Sequence, residues 1–155
     1  MATDYSDVYT IFLSKITDYS FASLAESALD DILLDYLKSA IVRFTKYSNT
    51  DLTYDDTDEA FDETLSEMEK EILATMMVVA WLTPIINSTE VLKQILNDKD
   101  FRIYSQANHL KEIKELKKDN EEEIDRLIID YTYNLDSIEE LNENLYHLEF
   151  VLILL

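Results

Sequence analysis

The sequence predicts an all-α fold: a helical bundle of about five to six helices around one central apolar helix at about 58–83, with a long helix after Ser105 and a C-terminal arm. Three observations carry that prediction. The 155-residue chain has no glycine and only one proline, so it lacks the residue that tight turns and two-residue hairpins rely on. Ten of the eleven residues at 72–82 are apolar, Thr75 being the exception, and a helix apolar all round is one that its neighbours enclose. Elsewhere the apolar residues recur at spacings of three and four, the period of amphipathic helices.

In chain order, Tyr5, Val8, Tyr9, Phe12 and Ile16 mark a first helix with Thr3 or Asp4 as its N-cap. Ser23 with Glu26, or Ser27 with Asp30, can open a second as a capping box. Its broad face runs from Leu29 through Leu33, Leu37 and Ile41 to Phe44, ending near Tyr47. Residues 47–69 then carry nine acidic side chains and no basic one, and the first part has turn formers without a period, so it reads as a loop. Thr57 or Asp58 can cap the central helix, with Phe61, Leu65, Met68, Ile72, Met76 and Val79 along one side. Asp58, Glu59, Asp62 and Glu63 would suit the positive end of its dipole. Pro84 marks its exit, and the apolar run is too short to cross a bilayer, which takes about 20 residues.

A short helix follows, bearing Val91, Leu92, Ile95 and Leu96. An irregular connector at 98–104 leads to the long helix that Ser105 caps, continuing to about 134. Its middle, 117–123, is fully polar, so either the helix projects there or it breaks in two. The chain divides into a helical domain at 1–134 and a C-terminal apolar arm or helix at 135–155. In that arm Ile138, Leu141, Leu145, Leu148, Leu152 and Leu155 repeat at 3, 4, 3, 4, 3, a short heptad seam. Such an apolar end needs cover, from its own core or from a partner.

Composition also bounds function. Without glycine there is no P-loop and no dinucleotide fingerprint. Without cysteine there is no thiol nucleophile, disulfide or cysteine zinc site. The acidic N-terminus lacks the basic region of a secretory signal. A net charge of −20 argues against tight binding to nucleic-acid phosphates or to an anionic membrane surface. It leaves three readings: a solvated surface, a surface that must not stick to DNA, or one that mimics DNA. Asp51, Asp55, Asp56 and Asp58 are the candidate acids for the latter two, and they do not alternate as a calcium loop requires. His109 and His147 fall on different helices and in no metal-binding spacing. No nucleotide, metal or nucleophile motif is present, so no catalytic residue, metal or cofactor is expected.

Seven of the thirteen basic residues fall at 93–118, which polarises the charge along the chain. Lys111 and Lys114 are therefore candidate partner-binding residues for an acidic face on a second copy, a head-to-tail contact. Alternatively these lysines pair within their own helix, with acids such as Glu112 and Glu115. Leu145, Leu148, Leu152 and Leu155 are the apolar partner-binding candidates.

Several strings resemble the short helical head–tail connector proteins, or neck adaptors, of tailed bacteriophages. They are Tyr36 and Leu37 with Ala40, Ile41 and Phe44; Phe61 with Leu65, Glu69, the run 72–74, Met77, Trp81 and Leu82; and Lys99, Asp100 and Phe101 with Tyr104, Ser105, Ala107, Asn108, Leu110 and Lys111. The resemblance covers about 4–134 and stops short of the arm. It implies a non-enzymatic adaptor, made in the host cytoplasm and placed in the virion neck. Such a protein forms a homo-oligomeric ring, a dodecamer in that family, between the portal protein and a stopper or tail-completion protein. DNA would pass through the ring without specific binding, and acid lining the channel would repel phosphate within the roughly 8–10 Å screening length of physiological salt. The alternative function is a small acidic binding protein, or a DNA-mimic inhibitor of a nucleic-acid-binding partner.

Overall fold

The computed structural model describes residues 2–16, 21, 25–95 and 104–153. The chain is mostly helical, as expected, and among the described residues it has four helices: α1 (Tyr5–Lys15), α2 (Glu26–Phe44), α3 (Glu67–Ile95) and α4 (Tyr104–Ile153). A three-stranded sheet of two-residue strands accompanies them: β1 (Thr3–Asp4), β2 (Tyr54–Asp55) and β3 (Ala60–Phe61), in the order β1-β3-β2 with both pairings antiparallel.

The expected count of five to six helices is corrected in three places. Pro84 does not end the central helix, which runs 29 residues to Ile95 and absorbs the separate helix expected there. Pro84 is exposed, so its ring faces solvent and not a packed neighbour, and the Thr83 hydroxyl donates to the Val79 carbonyl just before it. The polar stretch at 117–123 does not break α4, because Lys117 pairs with Glu121, Lys118 with Glu122 and Arg126 with Glu123 along its surface. The arm is a continuation of α4 through Ile153 and not a separate helix.

The central helix also begins later than expected, at Glu67 and not at Asp58. Phe61 and Leu65 are buried as predicted, but from strand β3 and the turn after it. Asp58, Glu59, Asp62 and Glu63 therefore precede the helix, and Glu67 and Glu69 are the acids in its first turn. In the other helices the expected side-chain caps are absent: Asp4 and Ala25 flank α1 and α2 without a capping bond. Ser27 lies inside α2, and Ser23 lies outside the described residues. Ser105 lies inside α4, which starts at Tyr104. The connector expected at 98–104 falls outside the described residues up to 103.

A glycine-free chain must turn its small sheet without glycine, and it does so at Glu59, whose φ of 50° is left-handed. That residue's carbonyl accepts the Tyr5 N–H at 2.9 Å, which fixes the start of α1. Thr3, on β1, is buried and its hydroxyl accepts the Leu65 N–H at 2.8 Å. The sheet thus clamps the N-terminus to the segment that feeds α3.

Every residue of α3 from 72 to 79 is buried, under α1, α2 and α4. The Glu67–Glu90 part of α3 is long and apolar enough to cross a membrane, contrary to the shorter run read from sequence. Its apolar surface is accounted for by this enclosure: Leu73, Ala74 and Met77 have no exposed area. Phe12, Leu37, Phe44 and Phe61 complete the core from the neighbouring elements.

Candidate functional site: a buried carboxylate, a basic groove and a projecting helix

The start of α3 holds a polar node that sequence reasoning placed elsewhere. Ser66 and Glu69 form the capping box: the Glu69 Oε2 accepts the Ser66 N–H at 2.7 Å and its hydroxyl at 2.9 Å. The other oxygen, Oε1, accepts the Tyr131 hydroxyl of α4 at 2.8 Å. The Tyr131 oxygen in turn accepts the Asn49 N–H at 3.0 Å, from the segment between α2 and β2. One carboxylate therefore ties together the start of α3, the middle of α4 and the chain leaving α2. Glu69 is only 2 % exposed. Burial alone would push its carboxyl up, but hydrogen bonds from Thr50, the Ser66 backbone, Tyr131 and the Ser66 hydroxyl together hold it below the ordinary carboxylate range. Burial raises the Tyr131 phenol, so it stays protonated and donates. A closed, fully partnered anion of this kind fixes geometry. The signal for it, Ser66 three residues before Glu69, is present in the sequence, where Thr57 and Asp58 compete with it as caps.

The four candidate acids sit together on the segment between α2 and β3, all exposed. Asp51 accepts the Thr53 N–H at 3.1 Å and Asp55 the Thr57 N–H at 2.7 Å, so both shape their own turns. These contacts keep the Asp55 carboxyl low. Asp56 accepts the Tyr5 hydroxyl at 3.3 Å and pairs with Lys38 at 2.7 Å. Burial pushes the Tyr5 phenol up, and the Asp56 charge adds to it. Of the basic candidates, Lys111 pairs with Glu115 of its own helix at 3.6 Å, and Lys114 pairs with Glu90 across on α3. Leu145, Leu148 and Leu152 lie on the helical backbone of α4, and Leu155 is outside the described residues. His109 is exposed, and among the described residues no group of three or more histidine, cysteine or acidic residues is placed to hold a metal.

Helices α3 and α4 are antiparallel: Glu90 meets Lys114, and Glu69 meets Tyr131. In this register the start of α3 lies opposite about residue 133 of α4. The 50-residue α4 then runs on to Ile153, about 30 Å further at about 1.5 Å per residue.

Where α2 ends beside α4, a groove of about 320 Å³ opens, lined by Val42, Arg43, Lys46 and Tyr47 from α2 and the turn after it, and by Ile124 and Ile128 from α4. Val42 is 78 % exposed at its edge. The sequence reading missed this groove because its two cations are isolated in an acidic chain and make no motif. No protein-family model, curated protein or solved structure matches this chain.

Proposed function

We propose that this protein is a structural connector of a tailed-bacteriophage neck, a helical subunit that assembles with copies of itself into a ring between portal and tail. The observation that carries this reading is α4. A 50-residue helix that outruns its partner helix by about 30 Å, with leucines at heptad spacing along that extension, is an element suited to assembly. Two further features support it. The residues that carry the resemblance at 36–82 coincide largely with the enclosed core and with the Glu69 node, so the resemblance falls on what sets the shape of the subunit. The net charge of −20 suits a channel wall along which DNA slides without adhering.

In this reading the chemistry is positional. The core helices hold the subunit's form, the Glu69 node locks α4 at a fixed angle to the body, and the extension reaches a neighbour or the portal. The test is electron microscopy of the purified full chain, alone and with the portal protein of the same genome. Rings, or rings seeded by portal, are the expected result. A protein that stays monomeric under both conditions, and instead captures a DNA-binding protein in a salt-sensitive way, would replace this reading with the DNA-mimic alternative.

A further inference from the structure

The groove between α2 and α4 has a property that sets it apart from the rest of the surface. The chain carries 33 acidic residues against 13 basic ones, and nearly every described cation is matched to a carboxylate. Lys15 pairs with Glu71, Lys38 with Asp56, Lys70 with Glu67, and the basic residues of α4 with acids of α3 or of their own helix. Among the described side chains, Arg43 and Lys46 are the two cations without a carboxylate partner, and both line this groove. Lys46 lies over the Tyr47 ring, 4.6 Å from its centre. The lining is mixed: Val42, Met76, Ile124 and Ile128 supply its apolar part beside the two cations, and Asp125 is the one acid on it. One turn along α4 from Asp125, Ile129 is 64 % exposed and extends the apolar strip. Two cations without a carboxylate, beside an apolar strip, are complementary to a helix with one apolar side and acids on the others.

The sequence of α4 beyond about residue 134 has that character as far as Glu149. Residues 135–155 hold the heptad seam together with Asp136, Glu139, Glu140, Glu143 and Glu149, and no lysine or arginine. It cannot reach the groove of its own subunit. Ile124 and Ile128 are on α4 itself, and α4 continues without a break to Ile153, so the segment lies further along the same axis.

We propose that the groove at the end of α2 receives the C-terminal helical segment of a second copy of this chain. Donor and acceptor are different surfaces of one subunit, so the contact is head-to-tail and closes into a ring if the rotation allows. The proposal rests on the reading of the chain as a self-assembling subunit, and it does not depend on where in a virion the assembly sits.

The chain has no cysteine, so the contact can be tested by paired thiols in the full-length protein. Two differently tagged variants, Val42→Cys and Leu148→Cys, are mixed at micromolar concentration and treated with a short bis-maleimide; Ser6→Cys, exposed on α1, replaces Val42→Cys as the control. The expected result is a mixed Val42–Leu148 adduct at least tenfold above the control, falling by at least tenfold when the Val42→Cys chain also carries Arg43→Glu and Lys46→Glu. Circular dichroism checks that the substitutions leave the fold intact. Oligomers without that adduct would overturn the proposal while leaving self-assembly standing. A protein monomeric by light scattering, both alone and with portal added, would overturn both. An adduct formed within one chain of the double variant, independent of concentration, would show that the segment folds back and would also overturn the proposal.

Discussion

Replacing Tyr131 by phenylalanine isolates the Glu69 node from the packing around it. The ring stays, so its edge contact with Phe44, 5.6 Å between centres, is kept. What is lost is one hydrogen bond to an ionised carboxylate, at 2.8 Å, together with the acceptor of the Asn49 N–H at 3.0 Å. A hydrogen bond to a charged group is worth about 1.5–3 kcal/mol, and the partly buried Asn49 N–H adds a fraction of that when left without its acceptor. The expected loss is about 2–3 kcal/mol at pH 7, which lowers Tm by about 5–10 °C for a chain of this size. Urea unfolding followed by circular dichroism measures the first quantity and a thermal melt the second.

The same node has a pH signature. Glu69 is held below its unfolded value, so its contribution is fully present above about pH 4.3 and is lost as pH falls through the folded value. Tyr131→Phe removes one of the donors that holds it low. The stability gap between parent and variant should therefore shrink as pH falls from 7 toward 3. A variant that loses less than about 0.5 kcal/mol, or a gap that is the same at both ends of that range, would refute the assignment of Glu69 as a charged tie between α3 and α4.

Two other substitutions test the small sheet. Thr3→Val keeps the buried shape but leaves the Leu65 N–H without its acceptor, and should cost about 1–3 kcal/mol in urea unfolding; a neutral result would mean that the amide finds another partner. Glu59→Gly relieves a left-handed residue whose backbone carbonyl bond to Tyr5 needs no side chain, and should raise stability by up to about 1 kcal/mol, read as a higher urea midpoint with an unchanged slope.

The core of this fold was legible because burial leaves a period. Spacing places Val8, Phe12, Leu33, Leu37 and Phe44 inside, near-unbroken apolarity places the run at 72–79 there, and all are buried. Boundaries were less legible, because at 58–66 two signals compete. Phe61 and Leu65 continue the helical spacing into Met68, yet strand pairing with Thr3 and Tyr54 captures Phe61 instead. The pairing with Thr3 joins residues 58 positions apart, which no local window contains. Pro84 misleads in the opposite sense, a local breaker that the helix passes on its exposed side, and the polar stretch of α4, which left a break and an unbroken helix both open, is unbroken with i,i+4 ion pairs along it. The candidate site divides the same way. The heptad spacing of the arm could be read directly, whereas the groove is built from α2 and α4, some eighty residues apart, and its distinguishing feature is the lack of carboxylate partners for Arg43 and Lys46. Partnering is a property of the folded surface, so a string of residues does not display it.

The central claim is that this subunit exists to assemble. The most direct measurement is the mass of the purified full-length chain by native mass spectrometry over a range of concentrations, repeated after portal rings are added. A discrete closed multiple of the 18.1 kDa subunit, alone or on portal, is the predicted result. A single species at the subunit mass under every condition would contradict it.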